Sequence, residues 1–297
     1  MATFDMVLGH PTPLARLDSR NIALGEIVLS DGYHTCVMVH SPPDGAKLPP
    51  VVYVHGIQSH PGWFLRSGQE MAASGRFVFQ VTRRGSGLNG EQRGHARSAE
   101  QLLDDVQTAC EYVISRTGSP AVHLAGVSWG GKLLAAYAAD RDTSHVEALT
   151  MIAPGIASKI DVGLRTKIGV AICVLAAPLR RFALPLDDPE LFTDNPPMIE
   201  FLRNDPAQLH EVTASFLYAS RQLDKMLQAA TAGSVTVDST LILSREDRII
   251  DNSQTREIVD RLTDGAARVV DLPGCHTLEF EPDCSEFHTS LTETFKA

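Results

Sequence analysis

The sequence predicts an α/β fold: a mostly parallel central sheet flanked by helices, with a helical segment inserted after the sixth strand. Three observations carry this. Between residues 51 and 153, short apolar runs rich in valine alternate with helical patterns, the order that builds a parallel sheet covered on both faces. The alternation breaks over 156–233, which is mostly helical in pattern, and resumes at 239. In the middle, the β-like run Ala121-Val122-His123-Leu124-Ala125 turns through Gly126-Val127-Ser128-Trp129-Gly130 directly into a helix-forming stretch from Lys132 to Ala139.

The bulk properties set the bounds. The chain has 297 residues, 43% hydrophobic and 21% charged, enough for a large core. Its net charge is −10 and it has no long Lys/Arg run, so it lacks the electrostatic footprint of a nucleic-acid binder. Cys36, Cys110, Cys173, Cys275 and Cys284 are odd in number and scattered, with no C-x-x-C. That pattern fits buried thiols in a reducing compartment, not a disulfide framework or a zinc site. A cytoplasmic protein with no metal and no cofactor is the expectation. Residues 1–11 show no basic region followed by an apolar stretch, so no secretion signal is read. The longest apolar run, 168–179, is too short to span a bilayer and contains Pro178. No stable membrane insertion is expected; an interfacial or lid helix remains open. Oligomeric state leaves no mark on the sequence.

Taken in order, alternating runs at 24–29 and 34–39 around Ser30-Asp31-Gly32 predict a hairpin at a sheet edge. Val51-Val52-Tyr53-Val54 predicts a buried strand ending at His55-Gly56, followed by a helix near 63–74. Phe77 to Val81 is the next strand, closed by the tight loop Thr82-Arg83-Arg84-Gly85-Ser86-Gly87. Leu102, Leu103, Val106, Ala109, Cys110 and Val113 recur at helical spacing, with Ser98 as N-cap and Gly118 with Pro120 as the stop. After the corner at Ser128 comes a strand over 146–153, stopped by Pro154-Gly155. The core is thus 1–155 and 234–297, and 156–233 is an inserted helical cap, placed over the strand ends where ligands bind in such sheets. Strands at 239–244 and 267–272, a helix near 253–263 and a last helix over 282–295 complete the chain.

The chemistry follows from the corner. A strand that turns at once into a helix holds its corner residue at positive φ and lifts the side chain above the sheet edge, at the positive end of the helix. A serine there is a weak nucleophile until a base takes its proton and a third group orients the base. His276, on the loop after the last strand, is the candidate base. His288, within the last helix, is the poorer one. Asp247, on the loop after strand 239–244, is the candidate acid; Glu246 is its close rival and Asp251 a distant one. The N–H groups of Trp129 and Ile57 are the candidate oxyanion donors. Trp63, Trp129 and Phe182 are candidates to line an acyl pocket.

These residues resemble the α/β-hydrolase superfamily, and within it the monoacylglycerol lipase, lysophospholipase and serine-aminopeptidase-like hydrolases. His55-Gly56-Ile57-Gln58-Ser59-His60 is similar to that group's H-G-x-x-x-H loop, and Arg84-Gly85-Ser86-Gly87 to its R-G-x-G loop. The Gly126-to-Gly130 elbow, Asp247-Arg248-Ile249-Ile250 and Gly274-Cys275-His276 complete the likeness, which covers about 51–155 and 240–295. The order Ser128, Asp247, His276 matches the group. Thr82 stands where an aspartate often precedes R-G-x-G, Trp129 where Met or Gln is common, and Ser244 where the acid's loop usually has Gly.

The resemblance implies the α/β-hydrolase fold and ester hydrolysis through an acyl-enzyme. A serine esterase of the monoacylglycerol-lipase type, acting on a small and lipophilic ester, is the leading expectation. The apolar residues of 168–179 and Phe182 point to the lipophilic group, or else pack the cap onto the core. An acyltransferase and an amide or thioester hydrolase use the same residues. A non-catalytic ligand receptor is the alternative from another class.

Overall fold

Valine continuity decides the centre of the sheet. In the computed structural model, which describes residues 21–294, β1 (Ile22–Val28) and β2 (His34–His40) form the expected antiparallel hairpin, with β1 at the edge. β3 (Val51–Val54), β4 (Val78–Val81) and β5 (Val122–Val127) are buried at every residue, as strands covered on both faces must be. β6 (Val146–Ile152) follows. A separate two-stranded ribbon, β7 (Arg181–Ala183) and β8 (Glu211–Thr213), belongs to the inserted segment. β9 (Asp238–Ser244) and β10 (Arg268–Leu272) close the main sheet. Its order is β1-β2-β4-β3-β5-β6-β9-β10, antiparallel at the first two pairings and parallel thereafter. The readings of residues 1–11 and of the helix end at Phe295 lie outside the described residues.

Helices cover both faces. α1 (Leu65–Ala73) follows a single 3-10 turn at Pro61–Phe64. α2 (Ala99–Thr117) starts where the Ser98 hydroxyl accepts the Gln101 N–H at 3.2 Å and ends at Gly118, φ 70°. α3 (Trp129–Asp140) leaves the sheet at Ser128. α2 and α3 bury Leu103, Val106, Leu133 and Leu134 with Leu124 and Leu149 of the sheet. On the other face α1 and α8 (Ser285–Glu293) bury Met71, Phe287 and Leu291 with Val51, Tyr53 and Ile242. Each such side chain contributes roughly 1.5–3 kcal/mol by leaving water. α7 (Asn252–Thr263) joins β9 to β10.

The inserted segment holds α4 (Leu164–Ala176), α5 (Pro196–Asn204) and α6 (Ala214–Ala229) besides the ribbon. α6 buries Phe216, Ala219, Leu223 and Leu227 in the same cluster as α2 and α3. α5 sends Met198 and Leu202 into the other. α4 behaves differently. Its Leu164, Ile168, Ile172 and Leu175 are 74, 54, 60 and 89% exposed, and Cys173 is the one residue of the helix that is buried. Among the described residues no helix is long and apolar enough to cross a membrane.

One buried ion pair ties the face below the sheet together. Glu279 accepts the N–H groups of Arg66 and Ser67 at 3.0 and 3.1 Å, at the start of α1, and the Ser67 hydroxyl. The Oε2 atom that accepts this hydroxyl also meets His288 Nε2 of α8 at 3.1 Å. Burial opposes a charge on His288, but hydrogen bonds with Cys284 and Glu279 outweigh it and push the imidazole up to about 9. A folded value above the unfolded one near 6.5 stabilises fully below that pH and loses its effect as pH rises through about 9. The urea midpoint is therefore expected to fall between pH 6.5 and 9, and His288→Gln to flatten that fall. An unchanged slope in the variant refutes the assignment.

Candidate active site

The site begins at the corner between β5 and α3. Ser128 has φ 53° and ψ −122°, a conformation that costs a non-glycine residue energy. Its surroundings hold it there. The Ser128 N–H donates to the Ile152 carbonyl at 2.8 Å, and its own carbonyl accepts from Gly155 at 2.7 Å. A Cβ at position 130 would lie 2.3 Å from the Val54 carbonyl oxygen and 2.6 Å from that of His55. Only glycine lets α3 start so close to the end of β3.

The loop after β10 brings His276 to the corner. Gly274 turns it at φ 119°, and the Thr277 N–H ties it to the Phe192 carbonyl at 3.0 Å. His276 is 2% exposed. Its Nε2 lies 2.9 Å from Ser128 Oγ and its Nδ1 2.8 Å from Asp247 Oδ2. The other carboxylate oxygen of Asp247 accepts the N–H groups of Ile249 and Ile250, both at 2.8 Å. Burial opposes the Asp247 charge, yet His276 and these two amides outweigh it and hold the carboxyl below the usual aspartate range. An acceptor-only carboxylate requires a hydrogen on Nδ1, which leaves the Nε2 lone pair facing the serine.

The rivals stand elsewhere. Glu246 is exposed and accepts the Gly274 N–H; Asp251 caps α7 through Gln254 at 3.0 Å; His288 belongs to the ion pair below the sheet.

Of the two candidate oxyanion donors, Trp129 follows the serine directly. Ile57 follows Gly56, where an added Cβ would sit 3.3 Å from Ser128 Cβ. Among the described residues neither N–H donates to another protein group. The pocket candidates separate. Trp63 lines the cleft beside Ser128 and His276, with Ile57, Phe64, Val127, Phe192 and Ile249. The Trp129 ring points away, stacked on Phe216 at 5.2 Å with its N–H on Ser220. Phe182 sits in the ribbon opposite Val212 and is not among the residues lining that cleft.

Three residues escaped the sequence reading. Phe192, from the inserted segment, sets its ring edge-on to the His276 imidazole at 5.9 Å. Asp205 accepts from Trp63 Nε1 at 2.7 Å and faces His60 Nε2 at 3.0 Å, fastening the segment to the H-G-x-x-x-H loop. Arg83 is 5% exposed and donates to the carbonyls of Gly56 and Ile57. Only the last left a local signal, a second arginine after an apolar strand. Among the described residues no three His, Cys, Asp or Glu side chains cluster to hold a metal.

Known proteins share this frame. A family model described as serine aminopeptidase, S33, matches residues 47–283. The protein named phospholipase YtpA of Bacillus subtilis (strain 168) is 23% identical over 211 residues, covering 68% of this chain and 77% of that one. A monoacylglycerol lipase of Paleococcus ferrophilus superposes with a TM-score of 0.71 at 19% identity, over 92% of this chain and 97% of that one. A soluble variant of the Saccharomyces cerevisiae monoglyceride lipase reaches 0.78 at 16% identity, over 95% and 98%. With the family model spanning both halves of the core and the inserted segment between them, the chain belongs to the serine aminopeptidase S33 family of α/β-hydrolases.

Proposed function

We propose that the chain is a serine hydrolase that cleaves carboxylic esters. The observation that carries this is the His276 imidazole, held between Ser128 Oγ at 2.9 Å and Asp247 Oδ2 at 2.8 Å. Ser128 attacks the acyl carbonyl while His276 Nε2 takes its proton. Asp247 keeps the Nδ1–H tautomer and stabilises the imidazolium that forms. The N–H groups of Ile57 and Trp129 receive the oxyanion. The proton then passes to the leaving alcohol, and water attacks the acyl-enzyme by the same route to release the acid.

The apolar lining of the cleft supports a lipophilic acyl or alcohol group, as in a monoacylglycerol or medium-chain ester. This argument rests on Trp63, Phe64, Phe192 and Ile249, not on the exposed run of α4. In the same reading 156–233 acts as the cap, supplying Leu186 and Phe192 to the cleft. A cytoplasmic location is part of the proposal; five free cysteines support it.

A fluorophosphonate probe is expected to label Ser128 in the wild type and to spare Ser128→Ala and His276→Ala. No labelling of the wild type, or labelling indifferent to His276→Ala, sinks the hydrolase reading. Asp247→Asn is expected to lower kcat on p-nitrophenyl butyrate by about 10⁴-fold, because the wrong imidazole tautomer then faces the serine. A loss under tenfold refutes the role given to Asp247. Across p-nitrophenyl esters from acetate to palmitate, kcat/KM is expected to peak beyond C4. A maximum at acetate with nothing beyond butyrate refutes the lipophilic cleft.

A further inference from the structure

Two neighbouring arginines share the loop after β4 and are treated very differently. Arg84 meets two carboxylates, Asp31 at 3.0 Å and Asp105 at 2.7 Å. Arg83, just as buried, has no carboxylate within ion-pair distance among the described residues, and its Nη1 has no hydrogen-bond partner. A buried cation without a counter-ion is costly. What it touches indicates why it is there.

Arg83 Nε and Nη2 both donate to the Gly56 carbonyl, at 3.2 and 2.8 Å, and Nη2 also donates to the Ile57 carbonyl at 2.7 Å. His55 Nδ1 adds a third contact to the same Gly56 oxygen at 2.9 Å. The His55 tautomer is consistent, because its Nε2 accepts the Arg83 N–H at 3.1 Å. The Gly56 carbonyl and the Ile57 N–H belong to one peptide plane, and in a trans peptide they point opposite ways. Fixing that oxygen from three donors therefore aims the Ile57 N–H away from the arginine. Donation to a carbonyl also polarises its peptide and strengthens the N–H at the other end. The central carbon of the same guanidinium lies over the Trp129 ring, 4.7 Å from its centre. One side chain thus touches both residues whose N–H groups would hold the oxyanion.

We propose that Arg83 is a positioning residue for the oxyanion donors, aligning the Gly56–Ile57 peptide and bracing Trp129 while placing a positive charge behind the developing anion. The proposal rests on the ester-hydrolase reading. Burial alone draws this guanidinium down to about 9, which leaves it a cation at neutral pH. Its charge is felt strongly because the surroundings are dry.

The test uses the full chain, with Arg83→Met, Arg83→Gln and Arg83→Lys. Steady-state kinetics on p-nitrophenyl butyrate are paired with inhibition by phenylboronic acid, whose tetrahedral serine adduct places an oxygen where the oxyanion forms. Arg83→Met is expected to lower kcat by about 10²-fold, in the range of losing one oxyanion donor, with KM within about threefold. The boronate inhibition constant is expected to rise in parallel, and Arg83→Lys to recover at least about tenfold of both. A folded Arg83→Met with kcat within about threefold of wild type overturns the proposal. So does a kcat loss that leaves boronate affinity unchanged, which is what a merely structural arginine would give. Should Arg83→Met fail to fold, Arg83→Gln takes its place in both measurements, and the same two outcomes overturn the proposal. A wild type inert to ester and boronate alike removes the hydrolase reading and this proposal with it; wild-type turnover with an indifferent Arg83 removes this proposal alone.

Discussion

The close approach of α3 to the end of β3 is the constraint on which the rest of the site depends. Gly130 stands so near the Val54 and His55 carbonyls that no side chain fits between them. This contact fixes the start of α3 against the H-G loop. It therefore fixes the distance between the Trp129 and Ile57 amides, which come from chain segments more than seventy residues apart. It also forces Ser128 into its strained conformation, since the chain must reverse within one residue. A serine set lower in the sheet would lose the contact that His276 makes with it at 2.9 Å. The loops of His276 and Asp247 end at the strand edges, and β9 and β10 are paired in parallel with no irregularity to extend them.

The parts of this arrangement made by local physics were legible in the sequence. Continuous valine marked the buried parallel strands, and Ser98 with Gly118 bounded α2, because those signals act within a few residues. The serine corner and its two partner loops could be placed for the same reason: each lies at the end of a recognisable strand. Choosing Asp247 over Glu246 was harder. The two are adjacent, and only the turn that gives the Ile249 and Ile250 amides to one of them distinguishes their directions. The ribbon of β7 and β8 left no periodicity, since three residues cannot display an alternation. Asp205 is 142 residues from Trp63, and no local pattern anticipates their contact. The surroundings of the apolar α4 were not legible for a different reason. Composition reports hydrophobicity, but it does not report which surface, if any, covers it.

At two of the three positions where the chain departs from its family's usual residues, the side chain makes a structural contact. The Ser244 hydroxyl, where glycine is common, donates to the carbonyls of Gly274 and Cys275, clasping the acid's strand to the histidine's loop. Trp129 is large, yet its ring turns out of the cleft onto Phe216 and Ser220 of α6 and so couples the elbow to the inserted segment. Lys132, one turn further along α3, strengthens that coupling through Ser220 and Asp224, both at 2.9 Å. An exposed ion pair is worth little, but this one is largely shielded and shares a hydroxyl with the indole, so its geometry is restrained.

These attachments bear on how the inserted segment works. Two of its attachments to the core flank the serine: α6 against α3 beside the elbow, and Asp205 against Trp63 and His60 beside the H-G loop. Phe192, from the same segment, rests on His276 itself. A segment pinned on both sides of the serine cannot swing away as a rigid lid without breaking buried hydrogen bonds at one of those places, each worth about 1–3 kcal/mol when its partner is lost. Motion that admits a substrate is less costly in α4, which buries only Cys173 along its thirteen residues. In the proposed reading, the aromatic wall of Trp63 and Phe192 would set selectivity, because it is held by buried contacts, while the exposed face of α4 is the least constrained part of the segment.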